Sequence, residues 1–202
     1  WQNNFLETKW RTGDTLNAGI GQGYVLATPL QLAVMTSRIA TGRKIQPKLI
    51  NAVDGIQSKN EYSKEKLEIS EKSLKIVKRG MYTVVNEEGG TGYKSRIINK
   101  KLLMAGKTGT SQVRKITSEE RKKGITKNED LPWKKRDHAL FVGYAPYHDP
   151  KYSISVIVEH GGGGSKVAAP IARDIMLFAL KKGIPNLDHY PEDQRNEINK
   201  IL

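Results

Sequence analysis

The sequence predicts an α+β fold in which helices flank an antiparallel sheet. Residues 139–145 are apolar almost throughout, and residues 152–158 alternate apolar with polar side chains. Pro146 and Pro150 lie between these two patterns, so the pair is expected to form an antiparallel hairpin with residues 139–145 as a central strand. A third strand is expected within residues 102–113.

Three helices are predicted from helical spacing and end signals. The first begins with Thr28 as N-cap and ends at Gly42, because Pro29 suits the first helical position and glycine suits a C-terminal stop. The second begins after Ser70 and runs to about Glu88, and the third spans about residues 170–182 and ends at Gly183. The apolar faces expected to be buried are Leu30, Ala33, Val34 and Ser37 in the first helix, Leu74, Val77, Met81, Val84 and Val85 in the second, and Ile171, Ile175, Phe178 and Ala179 in the third.

Other segments carry weaker signals. Residues 13–28 are glycine-rich and are expected to form a tight, closely packed loop, because the glycine spacing does not match the dinucleotide fingerprint. The GGGGSK string at residues 161–166 fails the phosphate-loop pattern, because Lys166 does not directly follow the last glycine, and it is expected to form a flexible rim loop. A short strand is expected at residues 46–53, a functional lid or mobile insertion at residues 111–137 and a peripheral tail at residues 184–202.

The composition excludes several classes of protein. The 202 residues include no cysteine, so neither a disulfide framework nor a thiolate metal site can form. No apolar run is long enough to span a bilayer. The net charge of +13 suits an anionic partner. Nucleic acid is disfavoured, because acidic residues interrupt the basic cluster at 114–136 and aromatic residues do not interleave with the basic ones.

The strongest chemical signal lies within residues 102–113. An apolar run leads into Lys107-Thr108-Gly109-Thr110, as in a strand that leaves a core and enters a cleft. Strand alternation places Thr108 and Thr110 on one face, with Lys107 and Gly109 on the other. Two neighbouring hydroxyls can both donate to one carboxylate, the lysine adds a positive charge, and the glycine lets a ligand backbone lie close.

Several motifs stand in the order found in a known family and cover nearly the whole chain. They are GDTLNAGIGQGY (13–24), ATPLQLA (27–33), GGTGYKSR (89–96), MAGKTGTSQV (104–113), DHALFVGYAP (137–146) and a strand–GGGG–helix ending. On these residues the chain resembles the C-terminal part of a penicillin-binding protein transpeptidase domain of class B, elongation type. The resemblance implies the penicillin-binding/β-lactamase-like fold. It also implies a peptidoglycan D,D-transpeptidase that cross-links stem peptides through a serine acyl-enzyme.

The resemblance also implies roles for the K-T-G motif. Thr108 and Thr110 would bind the terminal carboxylate of a stem peptide or of a β-lactam, with Gly109 between them. Lys107 would add positive charge and support proton transfer, and the Thr110 N–H would be an oxyanion donor. The implied partner is the cell-wall elongation machinery, and the implied location is the bacterial inner membrane with the domain facing the periplasm. Neither a cofactor nor a metal is implied.

The family's other two motifs, S-x-x-K and S-x-N, occur only as isolated strings, at residues 63–66 and 58–60. Both lie in a charged segment, nearly touching and in reversed order. A catalytic serine needs a rigid helix start and a buried lysine, so we interpret both strings as coincidences. We therefore expect residues 1–202 to be the C-terminal portion of one transpeptidase domain and to be inactive alone. The nucleophile, the N-terminal domain and the membrane anchor are then expected outside the chain, and an exposed sheet edge could make the fragment dimeric.

The four histidines lie at no metal-ligand spacing. His138 and His160 flank the two hairpin strands, where a structural role is expected and a cleft-lining role stays open. Trp133 is expected to anchor the long loop. Two other functions stay open: a related serine acyl-enzyme, such as a carboxypeptidase, β-lactamase or β-lactam sensor, and a non-catalytic ligand-binding or assembly module. The TPLQLA and IGQGY strings favour the transpeptidase over the first of these.

Overall fold

A computed structural model describes residues 9–23, 25–50, 52–57, 64–114 and 116–201. The strands are β1 (Ala52–Val53), β2 (Ile56–Gln57), β3 (Ala105–Ser111), β4 (His138–Ala145) and β5 (Tyr152–Val158). The helices are α1 (Thr12–Gly19), α2 (Pro29–Thr41), α3 (Glu71–Asn86), α4 (Ser118–Lys123), α5 (Ala168–Lys181) and α6 (Arg195–Ile198). The predicted α+β class with a three-stranded antiparallel sheet is confirmed.

The main sheet has the order β3-β4-β5 with both pairs antiparallel. Its central strand is β4, as the nearly continuous apolar pattern predicted. The hairpin is also confirmed, with Ala145 opposite Tyr152 and Ala139 opposite Val158. Among the described residues, the outer edges of β3 and β5 pair with no further strand.

Opposite faces of the sheet carry different helices. On one face, Phe141 packs in a core with Met176 and Leu177 of α5. On the other face, Tyr144 packs with Ala40 of α2 and Met81 of α3. The sheet is therefore covered on both sides, and β3 lies at one edge of this layered core.

The predicted ends of α2 are confirmed. The Thr28 hydroxyl accepts a hydrogen bond from the Gln31 N–H at 3.2 Å, Pro29 follows as the first helical residue, and Gly42 closes the helix at φ 68°. The Ser70 cap of α3 is confirmed as well, although the helix ends at Asn86 rather than near Glu88. The buried face predicted for α2 is wrong, since its buried residues are Thr36 and Ala40, and Leu30 is exposed. In α3 the prediction is confirmed for Met81 and Val85, whereas Val77 is exposed.

The predicted buried face of the last helix is wrong. Phe178 is 55% exposed, and Ile171 and Ile175 are also exposed. The buried positions of α5 are Ala168, Ala169, Ala172, Arg173, Met176 and Leu177. The helix thus packs through three alanines together with three longer side chains, and the alanines allow close approach to the sheet. It begins at Ala168 and is closed by Lys182 at φ 56°, one residue before the expected Gly183.

Two N-terminal expectations are also wrong. Residues 12–19 form α1 rather than a closely packed loop, and no buried residue occurs in that helix. Among the described residues of the strand expected at 46–53, only Ala52–Val53 form a strand, and the chain then turns back at Asp54-Gly55 to pair with Ile56–Gln57. Both turn residues have positive φ, 50° and 78°, as the Asp-Gly sequence favours in a two-residue hairpin turn.

The expectation that residues 184–202 are peripheral is wrong for the middle of that segment. Tyr190 is buried in the main core, and burial raises its pKa to about 12. The Arg173 guanidinium lies 4.7 Å from the Tyr190 ring centroid and donates to Gln194 Oε1 at 2.7 Å. Gln194 in turn donates to the Lys94 carbonyl at 2.7 Å, so this segment connects α5 to the short helical turn at Tyr93–Ser95. Throughout the described ranges, no helix combines the length and apolar character needed to cross a membrane.

Candidate functional site

The K-T-G residues lie on a strand, as predicted, and this strand, β3, is at one edge of the three-stranded sheet. Thr108 stands opposite Phe141 and Thr110 opposite Ala139, whereas Lys107 stands opposite Val142. Since cross-strand partners share a face, the two threonines lie on one face of the strand and the lysine on the other. Lys107 and Thr110 are exposed and Thr108 is half-buried, so all three can meet a ligand at this edge.

Two hydrogen bonds fix the polar groups of this strand. Lys107 Nζ donates to the Thr108 carbonyl at 2.8 Å, which holds the ammonium beside the strand. The Thr108 hydroxyl lies 2.7 Å from the Thr91 hydroxyl, close enough for a strong O–H···O hydrogen bond. The site therefore combines one cation with a cluster of hydroxyl groups.

The loop at residues 161–164 packs closely against the backbone of this strand. A Cβ placed on Gly164 would lie 2.3 Å from the carbonyl oxygens of both Gly109 and Leu140. Only glycine can bring the 161–164 loop this close to β3 and β4. The glycine string that failed the phosphate-loop pattern thus has a structural role: it packs directly against the backbone of the K-T-G strand and of β4.

The long segment at 111–137 contains more structure than the predicted loop. It includes α4, whose N-cap Thr117 accepts from the Glu120 N–H at 3.2 Å. Arg114 donates to both carboxylate oxygens of Glu120 at 2.6 Å. The Arg114 hydrogen bonds are the main cause that lowers the pKa of Glu120 to about 2. This pair fixes the segment immediately after β3.

The Trp133 anchor is confirmed by an aromatic cluster at the far end of β3. Trp133 packs edge-on against His160 at 4.6 Å between ring centroids, and His160 packs against His138 at 4.8 Å. The His160 N–H donates to His138 Nδ1 at 2.9 Å. These contacts give both histidines the expected structural role.

Lys166 forms a second contact that holds the 111–137 segment, in addition to the Trp133–His160 contact. It pairs with Glu129 at 2.7 Å, and that hydrogen bond lowers the pKa of the Glu129 carboxyl. The 111–137 segment is therefore attached both to the hairpin and to the glycine loop that supports β3.

The other two histidines lie away from the K-T-G residues. His148 contacts the Tyr147 ring at 4.9 Å, and His189 is buried 3.4 Å from the Asn99 side-chain nitrogen. Within the described part of the chain, no three His, Asp or Glu side chains come together as a group that could hold a metal ion.

The S-x-x-K and S-x-N strings are tested only in part. Ser58, Lys59, Asn60 and Ser63 lie outside the described residues. Lys66, the lysine of the S-x-x-K string, has an 81% exposed side chain and pairs with Glu71 at 3.3 Å. This lysine is solvated, unlike the desolvated lysine that activates a serine.

Sequence reasoning assigned no role to Thr91, although the GGTGYKSR string contains it. The signal that could have drawn attention to Thr91 is its position as the one side chain among glycines in a predicted turn. The structure brings this residue against Thr108, which is 17 positions further along the chain.

Comparisons with known proteins identify the family of the chain. Residues 2–177 match the penicillin-binding protein transpeptidase domain. The chain is 36% identical over 99% of its length to the peptidoglycan D,D-transpeptidase MrdA of Haemophilus influenzae, of which it spans 31%. It is also similar to penicillin-binding protein 2 (PBP2) of Helicobacter pylori in a complex with MreC, at 34% identity and a TM-score of 0.68, covering 90% of this chain and 30% of that one.

A second solved structure, PBP2 of Pseudomonas aeruginosa in complex with WCK 5153, has 33% identity and a TM-score of 0.69 and covers 94% of this chain and 39% of that one. Each comparison extends over most of this chain, but the chain spans well under half the length of these relatives. The match to the domain family covers α2, α3, the K-T-G strand and the hairpin together. The chain therefore belongs to the penicillin-binding protein transpeptidase domain family.

Proposed function

We propose that residues 1–202 form the C-terminal portion of the transpeptidase domain of a peptidoglycan D,D-transpeptidase that acts in cell-wall elongation. The observation that carries this proposal is the exposed edge strand bearing Lys107, Thr108 and Thr110 in a chain of this family. The relatives named MrdA and PBP2 support the elongation type. The reaction is acyl transfer through a serine acyl-enzyme.

In this proposal β3 recognises the carboxylate of the donor stem peptide, or of a β-lactam in its place. The Thr108 and Thr110 hydroxyls donate to the carboxylate oxygens, and the Lys107 ammonium contributes a positive charge beside them. Gly109 adds no side chain between the two threonines, so an extended ligand can lie along the strand edge. The Thr110 backbone N–H serves as one donor to the oxyanion.

The nucleophilic serine is proposed to lie outside residues 1–202. The support comes from Lys66, whose side chain is 81% exposed and paired with Glu71, whereas a lysine that activates a serine is desolvated beside it. A chain without the nucleophile binds the carboxylate end of a ligand but does not form the acyl-enzyme.

The proposed partners follow from the same relatives. The Helicobacter pylori PBP2 structure is a complex with MreC, which supports an assembly of this kind for the present protein. We place the whole protein in the bacterial inner membrane with this domain facing the periplasm. The net charge of +13 suits an anionic wall or membrane surface there.

Acylation by benzylpenicillin tests the role of the K-T-G strand. In the full-length protein, Lys107→Ala is expected to lower the second-order acylation rate constant by about 100-fold or more, because it removes the cation from the site. Lys101→Ala, which changes an exposed lysine just before the strand, is the matched control and is expected to acylate normally. Equal acylation of the two variants, with melting temperatures unchanged, would contradict the proposal.

A further inference from the structure

The turn after α3, residues Gly89–Gly92, holds one side chain in a fixed place. The Gly90 N–H donates to the Glu87 carbonyl at 3.0 Å, and the Gly92 N–H donates to the Val84 carbonyl at 2.9 Å. A Cβ on Gly90 would lie 2.4 Å from the Val84 carbonyl oxygen, so the turn is pressed against the end of the helix. Thr91, the only residue of this turn with a side chain, is thereby directed at β3.

The contact of Thr91 with β3 involves the hydroxyl that the proposed function assigns to ligand binding. Thr91 Oγ1 lies 2.7 Å from Thr108 Oγ1, so one hydroxyl donates to the other. Each hydroxyl has one proton and can accept two hydrogen bonds. When Thr91 donates, the Thr108 proton is free to point away from the turn. When Thr108 donates, its proton is occupied and cannot bind an anion.

We propose that Thr91 is a positioning residue for carboxylate recognition, which donates to Thr108 Oγ1 and directs the Thr108 proton to the carboxylate of the ligand. The inference rests on the proposed role of Thr108. The resulting chain runs from the Thr91 hydroxyl through the Thr108 hydroxyl to the anion. Hydrogen bonds in such a chain polarise one another, and the last one is strengthened by the ligand's charge. Without Thr91, the Thr108 hydroxyl loses its donor and its fixed rotamer.

The test compares an acidic ligand with its neutral counterpart on the full-length protein. Second-order acylation rate constants are measured by intact mass for benzylpenicillin and for its methyl ester. Thr91→Val keeps the shape but removes the hydroxyl, and it is expected to slow acylation by the acid about tenfold. The rate for the ester is expected to change less than about twofold, because the ester carries no anion. Thr91→Ser retains the hydroxyl and is expected to restore the rate for the acid.

Thr41→Val is the matched control, since the Thr41 hydroxyl makes local hydrogen bonds, donating to the Ser37 carbonyl at 2.8 Å and accepting from the Arg43 N–H at 3.3 Å. It is expected to leave both rate constants unchanged. An unchanged rate for the acid in Thr91→Val would overturn the inference, and so would an equal loss for acid and ester, which indicates a general structural effect. If Thr91→Val does not fold, Thr91→Ala and Thr91→Ser give the same comparison.

The same data separate this inference from the proposed function. A preference for the acid that is lost in Thr108→Val but kept in Thr91→Val refutes only the role of Thr91. A preference for the acid that survives Thr108→Val refutes the role of Thr108 and with it this inference, whereas a wild-type protein that is not acylated refutes the proposed function itself.

Discussion

Replacing Gly164 by alanine tests whether close packing of the glycine loop against β3 and β4 holds the K-T-G strand in place. The added Cβ would lie 2.3 Å from two carbonyl oxygens, those of Gly109 in β3 and Leu140 in β4, and 3.0 Å from the Gly109 nitrogen. All three are backbone atoms of paired strands, so no side-chain rotation can relieve the contact. The loop has to move by about 1 Å to restore an ordinary van der Waals distance.

Overpacking that forces such a backbone shift costs typically about 1–3 kcal/mol. Because the added Cβ overlaps the backbone of two paired strands, we expect a loss of about 3 kcal/mol in the free energy of unfolding. Acylation by benzylpenicillin is expected to fall as well, since Gly109 lies between the two threonines that we propose bind the carboxylate.

The neighbouring glycine provides the control for this experiment. A Cβ on Gly163 meets nothing within 4 Å. Gly163→Ala is therefore expected to change the unfolding free energy by less than about 1 kcal/mol, with a small gain from the stiffer unfolded chain. Denaturant unfolding of the full-length protein measures both variants. If Gly164→Ala were as stable as Gly163→Ala, close packing of this loop against β3 and β4 would be refuted.

Two further predictions concern the loop and the core. The Arg114–Glu120 pair lowers the pKa of Glu120 from 4.5 to about 2, so its stabilisation is present above pH 4.5 and is lost as the pH falls towards 2. The melting temperature of wild type should exceed that of Glu120→Gln at pH 6 and converge with it near pH 2; a constant difference would contradict the assignment. On α3, Val85 is fully buried and Val77 is 45% exposed. Val85→Ala should cost about 2 kcal/mol by denaturant unfolding and Val77→Ala less than about 1, and equal costs would refute the packing of α3.

Local signals in the sequence were sufficient where one residue type determines the geometry. Thr28 and Pro29 begin α2 and Gly42 ends it, because a hydroxyl cap, a fixed φ and an accessible positive φ are properties of those residues alone. The alternation of Thr108 and Thr110 was predictable for the same reason, since a strand has a period of two.

Packing between distant segments was not predictable from spacing. In α5 two stripes repeat at helical intervals, one formed by Ile171, Ile175 and Phe178 and the other by Ala168, Ala172 and Met176. The structure buries the second stripe, which combines two alanines with a methionine. Periodicity could not choose between them. Arg173 would have been assigned to the surface, yet it is 3% exposed, because Gln194 and Tyr190 return to the helix from the end of the chain.

The contact between Thr91 and Thr108 is another long-range feature. The glycines around Thr91 signalled a turn, but only the fold shows that this turn ends at the K-T-G strand. The same limit applies to Gly164, whose need for glycine depends on two strands that are distant in sequence.

Peptide mapping of the acylated protein tests the central claim most directly. The full-length protein is incubated with benzylpenicillin, its intact mass is measured, and the modified peptide is identified after digestion. The proposal predicts one adduct per molecule on a serine outside residues 1–202, and no adduct on this chain when it is treated alone. A stoichiometric adduct on Ser63 would contradict the assignment of the nucleophile, and a protein that forms no adduct would contradict the transpeptidase function.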